Sequence, residues 1–394
     1  MFLEGPANAP SSQNPYSQIL KDTAKHHRLL SVHWELTYRC NERCTHCYLD
    51  VLAPNTSDPH ELTTTECLHA LDEMAKLGVL NLTLSGGEIL TRHDFFEIAT
   101  YARAKHFLLR LFTNGILITE PVADRIAKLH PYAVEISVYG ANAETHECIT
   151  QVPHSFERTT RALRWLHERG VRTFLKTPLM RENLRQLPAM ETLARNLGAQ
   201  FRYDVTITPK DNGSWVTLKH RLTQEDLMWL FRQTLDPADW SNRLLKSNDR
   251  SCGITLNALV IDPHGNVSPC VQVRRQVGNV REHSLQELWT DSPVWCELGN
   301  LTWEELPVCR TCDIKPLCTR CHGLAQLEDG KLAAPSSIAC QQALARRQVL
   351  IEKGGLPLDY PIPGHLREIA ARMNDNNPGA FIPQTSLFAM PTNA

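Results

Sequence analysis

From residue 31 to about residue 210 the chain alternates short apolar runs with longer segments of helical period. "SVHWELTY" (31–38) predicts a strand and "LTTTECLHALDEMAKLG" (62–78) a helix. That helix opens on Thr63 or Thr64, with Glu66 near the capping-box position and Gly78 at its end. "VLNLTLSG", "FLLRLFTNG", "AVEISVYG", "VRTFLKTPL" and "AQFRYDVTIT" read as further strands. Between them, "RHDFFEIATYARAKH", "TEPVADRIAKLH", "SFERTTRALRWLHERG" and "LRQLPAMETLARNLG" read as helices, with Pro121 placed for a first turn. Six such alternations with short turns predict an α/β fold of parallel strands joined by right-handed crossovers. Periodicity does not choose between an open doubly wound sheet and a curved, barrel-like one. In either, ligands gather at the carboxyl ends of the strands.

After about residue 211 the pattern changes. Residues 222–235 predict a bridging helix, and from Cys252 onward the chain is rich in Cys, Gly and Pro. "NALVIDPHGNVSPC" reads as a hairpin turning on Pro-His-Gly-Asn. The expected organisation is a flexible leader over 1–30, a core over 31–235, a Cys-rich unit over 236–350 and a Pro-rich tail over 351–394.

Composition adds exclusions. A formal net charge of −2 offers no global basic field for nucleic acid or anionic membrane. No run is long enough to span a membrane, and the N-terminus lacks the pattern of a signal peptide, so the expected location is cytoplasmic. Thirteen cysteines in such a chain do not fit a disulfide framework. Cys67, Cys148 and Cys296 stand alone and read as packed thiols; the other ten are grouped, which points to metal.

The first group, "CNERCTHC", places Cys40, Cys44 and Cys47 directly after the first strand. A structural zinc site wants four ligands, and His46 is poorly placed to chelate beside Cys47. Three thiolates can instead hold three irons of a four-iron cube and leave the fourth iron open. The second group is Cys252, Cys270 in "GNVSPC", then "CRTCDIKPLCTRC" with Cys309, Cys312, Cys318 and Cys321, and finally Cys340. Alone, this group would favour a zinc knuckle.

The C-x3-C-x2-C spacing resembles the signature of the radical S-adenosylmethionine (radical SAM) superfamily, in which His46 takes the usual aromatic position. "SGGE" (Ser85–Glu88), just past the second strand, matches that family's glycine-rich element. The resemblance implies that Gly86, Gly87 and Glu88 meet the cofactor's amino group, the carboxylate pairing with the ammonium. It further implies roles in the cofactor site for Asn114, for Ser137 toward the ribose and for Lys176 toward the carboxylate. Tyr139 stands where many relatives have Asp. The second group resembles the seven-cysteine SPASM extension, departing from it by having two rather than three residues between Cys318 and Cys321.

The fold implied by the resemblance is a partial (β/α)6 TIM-like barrel over 31–235 and a small Cys-rich SPASM domain, a hairpin plus helix, over 236–350. The implied cofactors are a SAM-binding [4Fe-4S] cluster, S-adenosyl-L-methionine and two auxiliary iron–sulfur clusters. One auxiliary cluster would be held by Cys309, Cys312, Cys318 and Cys340, the other by Cys252, Cys270 and Cys321. His264 and His322 are candidates for the place left open at the latter. The implied activity is reductive cleavage of S-adenosylmethionine to a 5′-deoxyadenosyl radical that abstracts hydrogen from substrate. A ribosomal peptide is the leading substrate, delivered by a separate recognition protein, with a low-potential electron donor. The alternatives are a tetrapyrrole precursor or sulfatase maturation; Val271 after Cys270 argues against the latter, since maturases carry an acidic residue there. A non-catalytic zinc module is the remote reading.

Overall fold

The computed structural model describes residues 15–240 and 245–367. Nine strands form one sheet: β1 (Ser31–Glu35), β2 (Asn81–Ser85), β3 (Leu108–Thr113), β4 (Ala133–Ser137), β5 (Thr173–Pro178), β6 (Gln200–Asp204), β7 (Ala258–Ile261), β8 (Asn266–Ser268) and β9 (Gly278–Asn279). Their spatial order is β6-β5-β4-β3-β2-β1-β7-β8-β9. The first six are parallel and in chain order, as the crossover pattern predicts.

Alternation along the strands divides the two faces of the sheet. Val32 and Trp34, Leu82 and Leu84, Leu109 and Leu111, and Val134 and Ile136 are buried in the main core. Helices α2 (Thr64–Lys76), α3 (Phe95–Ala104), α4 (Glu120–Lys128) and α6 (Ser155–Glu168) cover that face. Each such large apolar side chain contributes about 1.5–3 kcal/mol by leaving water. Polar and aromatic residues occupy the alternate positions. The rings of His33 on β1 and Phe112 on β3, two strands apart, lie 5.9 Å from each other, so the sheet curls inward on this face. Among the described residues β6 pairs with β5 alone, which leaves the curl an incomplete barrel.

The "NALVIDPHGNVSPC" hairpin forms as predicted, but it is not set apart from the core. Strand β7 pairs parallel with β1, Ser31 opposite Ala258, and thereby prolongs the barrel sheet past its first strand. A second departure is α1 (Pro15–Lys25), which lies within the stretch expected to be a flexible leader. It is tied down because Asn257 Nδ2 donates to Leu20 O and Thr23 Oγ1, while Asn81 Nδ2 donates to Tyr16 OH. Residues 1–14 of the leader and the tail beyond residue 367 lie outside the described residues.

The remaining helices are α5 (Ala143–Thr150), α7 (Leu187–Asn196), α8 (Gln224–Thr234), α9 (Leu285–Thr290), α10 (Pro293–Gly299), α11 (His322–Asp329) and α12 (Ser337–Glu352). Helix α8 fulfils the expected bridge and packs against α12. A buried ion pair joins the two halves. Arg221 Nη1 and Nη2 meet Glu328 Oε2 and Oε1 at 2.7 and 2.6 Å, both side chains 2% exposed. Among the described residues no helix is long and apolar enough to cross a membrane.

Candidate metal centres and cofactor site

Past the carboxyl end of β1 the chain enters the Cys40–Cys47 loop, and the turn after β2 holds its entrance. Gly87 N donates to Thr37 O at 2.7 Å, and Glu88 N to Arg39 O at 2.8 Å. A Cβ at Gly86 would come within 2.4 Å of Thr37 O, and one at Gly87 within 2.3 Å of Arg39 O. The glycines of "SGGE" are therefore required by backbone meeting backbone, a use the sequence did not distinguish from approach to a ligand.

Glu88 is fully buried, and burial raises its pKa above the ordinary carboxylate value. Leu90 N and Thr113 Oγ1 donate to Oε1, and Thr113 Oγ1 and Asn114 N to Oε2. Three donors on a group with about four acceptor sites leave room for one more. Asn114 is the link onward. Its side-chain amide donates to Asn41 Oδ1 at 2.7 Å and lies 3.9 Å from Cys40 Sγ.

The other side of the loop is pinned by α5, a helix the periodicity did not reveal. Arg43 N donates to Thr150 O and Thr45 N to Ile149 O, at the end of that helix. Cys44 Sγ lies 3.2 Å from Glu42 Oε2 and 3.8 Å from Tyr139 OH. Burial pushes the Cys40 thiol up to about 12 and the Cys47 thiol to about 11. Cys44 is raised as well, by burial first and then by the charges of Glu42, Cys47 and Cys40. Three neighbouring sulfurs, one buried and two half-buried, that oppose one another's ionisation suit a cationic polynuclear centre, which relieves that repulsion. Glu42 Oε1, Thr45 Oγ1 and His46 Nδ1, all buried in the same loop, have no hydrogen-bond partner among the described residues.

His46 lies with its ring edge-on to Tyr139 at 4.7 Å, and burial lowers its pKa to about 4. Ser137, the last residue of β4, lies close to Tyr139, and burial raises the Tyr139 phenol well above its usual range. Lys176 is held elsewhere on the inner face. Its Nζ sits 3.6 Å from Glu135 Oε2 and 3.7 Å from the Phe112 ring centroid, with burial lowering its pKa to about 7. The role expected for it against a cofactor carboxylate thus competes with an ion pair already made.

The C-terminal cysteines separate into two neighbourhoods. Cys309, Cys312, Cys318 and Cys340 together line one small cavity, whose wall includes Trp303, Ile314, Ala343 and Leu366. Burial raises the Cys318 and Cys340 thiols, and the charges of the others in the set add to it. Cys252, Cys270 and Cys321 form the other neighbourhood. Burial raises Cys321 to about 12, and Cys270 and Cys252 push in the same direction. Both candidate histidines have other partners. His322 bonds Ser251 Oγ and Leu332 O through its two ring nitrogens, and His264 bonds Asp58 Oδ2. Gln272 Oε1 lies 3.0 Å from Cys270 Sγ instead. Among the described residues no three or more His, Cys, Asp or Glu converge to hold a single metal ion.

Comparison with known proteins agrees with this arrangement. Residues 34–194 match the Radical SAM superfamily, and residues 252–313 match SPASM, an iron-sulfur cluster-binding domain. The mycofactocin maturase MftC of Mycobacterium tuberculosis is 32% identical over 285 residues, 67% of this chain and 71% of that protein. The AdoMet-dependent heme synthase of Methanosarcina barkeri is 29% identical over 326 residues, 75% of this chain and 92% of that protein. The PqqA peptide cyclase of Granulibacter bethesdensis is 25% identical over 347 residues, 83% and 91% of the two chains. Among solved structures, anSMEcpe with bound AdoMet superposes with a TM-score of 0.63 at 16% identity, covering 88% of this chain and 98% of that one. With three thiols set beyond β1 and two further thiol groups downstream, the chain belongs to the radical SAM superfamily and carries a SPASM domain, and with them the requirement for S-adenosylmethionine, a [4Fe-4S] cluster and auxiliary iron–sulfur clusters.

Proposed function

We propose that this enzyme modifies a ribosomally made peptide by radical chemistry begun on S-adenosylmethionine. When bound, the cluster and S-adenosylmethionine supply a 5′-deoxyadenosyl radical that takes hydrogen from an unactivated carbon, which side chains cannot do unaided. In this reading Cys40, Cys44 and Cys47 hold the SAM-binding cluster. Glu88, oriented by Thr113 and Asn114, offers its remaining acceptor site to the cofactor's ammonium. His46 and Ser137 flank the cofactor beside Tyr139. Cys309, Cys312, Cys318 and Cys340 hold one auxiliary cluster, and Cys252, Cys270 and Cys321 the other. The inner face of the barrel keeps the reacting groups oriented and away from bulk water.

The observation that carries the peptide reading is the presence of two separate C-terminal thiol neighbourhoods, together with the likeness to MftC and to the PqqA peptide cyclase. A tetrapyrrole substrate is the second reading, favoured by the 92% coverage of the heme synthase. A separate recognition protein delivering the peptide and a low-potential electron donor complete the proposal. The test is co-expression under low oxygen with short peptides encoded beside the gene, then mass spectrometry. A mass change in one peptide that depends on Cys40, Cys44 and Cys47 supports the reading. Unmodified peptides, with turnover of a haem-type tetrapyrrole precursor instead, would replace it with the second.

A further inference from the structure

Tyr48 is the residue after Cys47, and its hydroxyl donates to Glu35 Oε1 at 2.6 Å. Glu35, the last residue of β1, is fully buried on the inner side of the sheet. Its other partner comes from the SPASM domain: Arg274 Nη2 reaches Glu35 Oε1 and Oε2 at 3.2 and 3.4 Å. The guanidinium lies 5.3 Å from the centroid of the Tyr48 ring. Asp211 closes the group, its backbone N–H donating to Tyr48 O at 2.9 Å and its carboxylate standing 3.6 Å from Arg274 Nη1.

Arg274 is itself part of the Cys270 turn. Its Nε donates to Val271 O, and Val273 N donates to Cys270 O. The same turn is pressed onto the start of α11, where a Cβ at Gly323 would come within 2.4 Å of Gln272 Cβ. Cys321 immediately precedes that helix. A continuous path of close contacts thus runs from Cys321 through Gln272 and the Cys270 turn to Arg274, then through Glu35 and Tyr48 to Cys47.

We propose that Arg274 is a positioning residue that couples the Cys252/Cys270/Cys321 site to the Cys40/Cys44/Cys47 site, so that the loop leaving Cys47 takes its working shape only when the Cys270 turn is in place. Glu35 is the fixed point: buried on a strand, it engages Tyr48 and Arg274 at once. An always-charged guanidinium that turns Nη2 to Glu35 and Nη1 to Asp211 suits this task, whereas an ammonium reaches it as a single point charge. The coupling rests on the reading that the two cysteine sets bind their clusters, and a triple-cysteine control separates failure of one from failure of the other.

The test uses the full chain, reconstituted anaerobically, as Arg274→Ala, Arg274→Lys, Cys270→Ala and the double variant Arg274→Ala/Cys270→Ala. Three readouts are taken: iron per chain, the change that S-adenosylmethionine causes in the EPR signal of the reduced protein, and hydrogen exchange of residues 44–52 before reconstitution. Arg274→Ala is expected to keep its iron, to lose the S-adenosylmethionine-dependent EPR change and to exchange faster over 44–52. Cofactor cleavage should fall about tenfold to a hundredfold, with partial recovery in Arg274→Lys. The double variant should be no worse than Cys270→Ala, since the two lesions cut one path. An Arg274→Ala protein with unchanged EPR response and cleavage, or a double variant whose losses multiply, overturns the coupling. If Cys40→Ala/Cys44→Ala/Cys47→Ala cleaves S-adenosylmethionine normally, the site reading itself fails, whatever Arg274 does.

Discussion

The backbone amide of Gly87 donates to the carbonyl of Thr37 at 2.7 Å, so the turn after β2 is fastened to the first residues beyond β1. This contact fixes the floor of the cysteine loop. Gly87→Ala would drive a methyl group to 2.3 Å from Arg39 O, and neither backbone can yield without moving the loop. The expected cost is about 1–3 kcal/mol of stability, read as a lower denaturation midpoint, with a larger loss of S-adenosylmethionine cleavage. Gly170→Ala, with nothing within 4 Å of its added methyl, isolates the backbone cost of positive φ and should spare the cleavage rate.

The Arg221–Glu328 pair is expected to be worth more intact than either partner alone. Arg221→Met strands a carboxylate that is 2% exposed, and should cost about 3–5 kcal/mol. Adding Glu328→Leu should return much of that loss. Chemical denaturation of the three proteins checks this: equal midpoints for the single and double variants would show that Glu328 finds another partner.

Asp94 predicts a dependence on acid. Burial alone would raise its pKa, but hydrogen bonds from Arg92 and Thr64 outweigh burial and lower it to about 2. Because the folded value lies below the ordinary one, the stabilisation is full above about pH 4. It is lost as pH falls toward about 2. Arg92 also donates to Leu36 O and Leu62 O, so the pair braces the end of β1. Asp94→Asn should lower stability at neutral pH by about 2–3 kcal/mol and flatten its slope between about pH 4 and 2. Unfolding midpoints measured across that range would show an unchanged slope if the pair contributes nothing.

The two C-terminal thiol groups predict independent losses. Cys318→Ser/Cys340→Ser should remove one auxiliary cluster and leave the other. Iron would fall from about twelve to about eight per chain if every centre is a four-iron cube. Cys252→Ser/Cys321→Ser should give a similar fall with a different EPR difference spectrum. Identical difference spectra from the two variants would mean a single shared centre.

Much of the fold was legible in the chain because it is written locally. The strand–helix alternation through residue 208 tracks hydrophobic period, and the cysteine spacings are short enough to read directly. Helix α12 escaped because it is buried around most of its circumference, with Gln341, Gln342 and Arg346 among the buried residues, so no apolar stripe marks it. Helix α5 is only eight residues long, yet its last carbonyls hold the cysteine loop. The pairing of β7 with β1 joins residues more than two hundred positions apart, and no local pattern announces it. In the site, the cysteines could be found from spacing. The engagement of Glu88 by Thr113 and Asn114, of Lys176 by Glu135, and of Glu35 by Arg274 could not, because each is a long-range contact.

Every role assigned to the barrel depends on Cys40, Cys44 and Cys47 carrying the cluster at which S-adenosylmethionine is cleaved. The direct measurement is 5′-deoxyadenosine formed by the reduced, reconstituted chain, quantified by mass spectrometry beside its iron content. The native sequence is expected to form it. The Cys40→Ala/Cys44→Ala/Cys47→Ala protein is expected to form none, with about two-thirds of the iron retained. Unchanged 5′-deoxyadenosine in that triple variant would contradict the assignment.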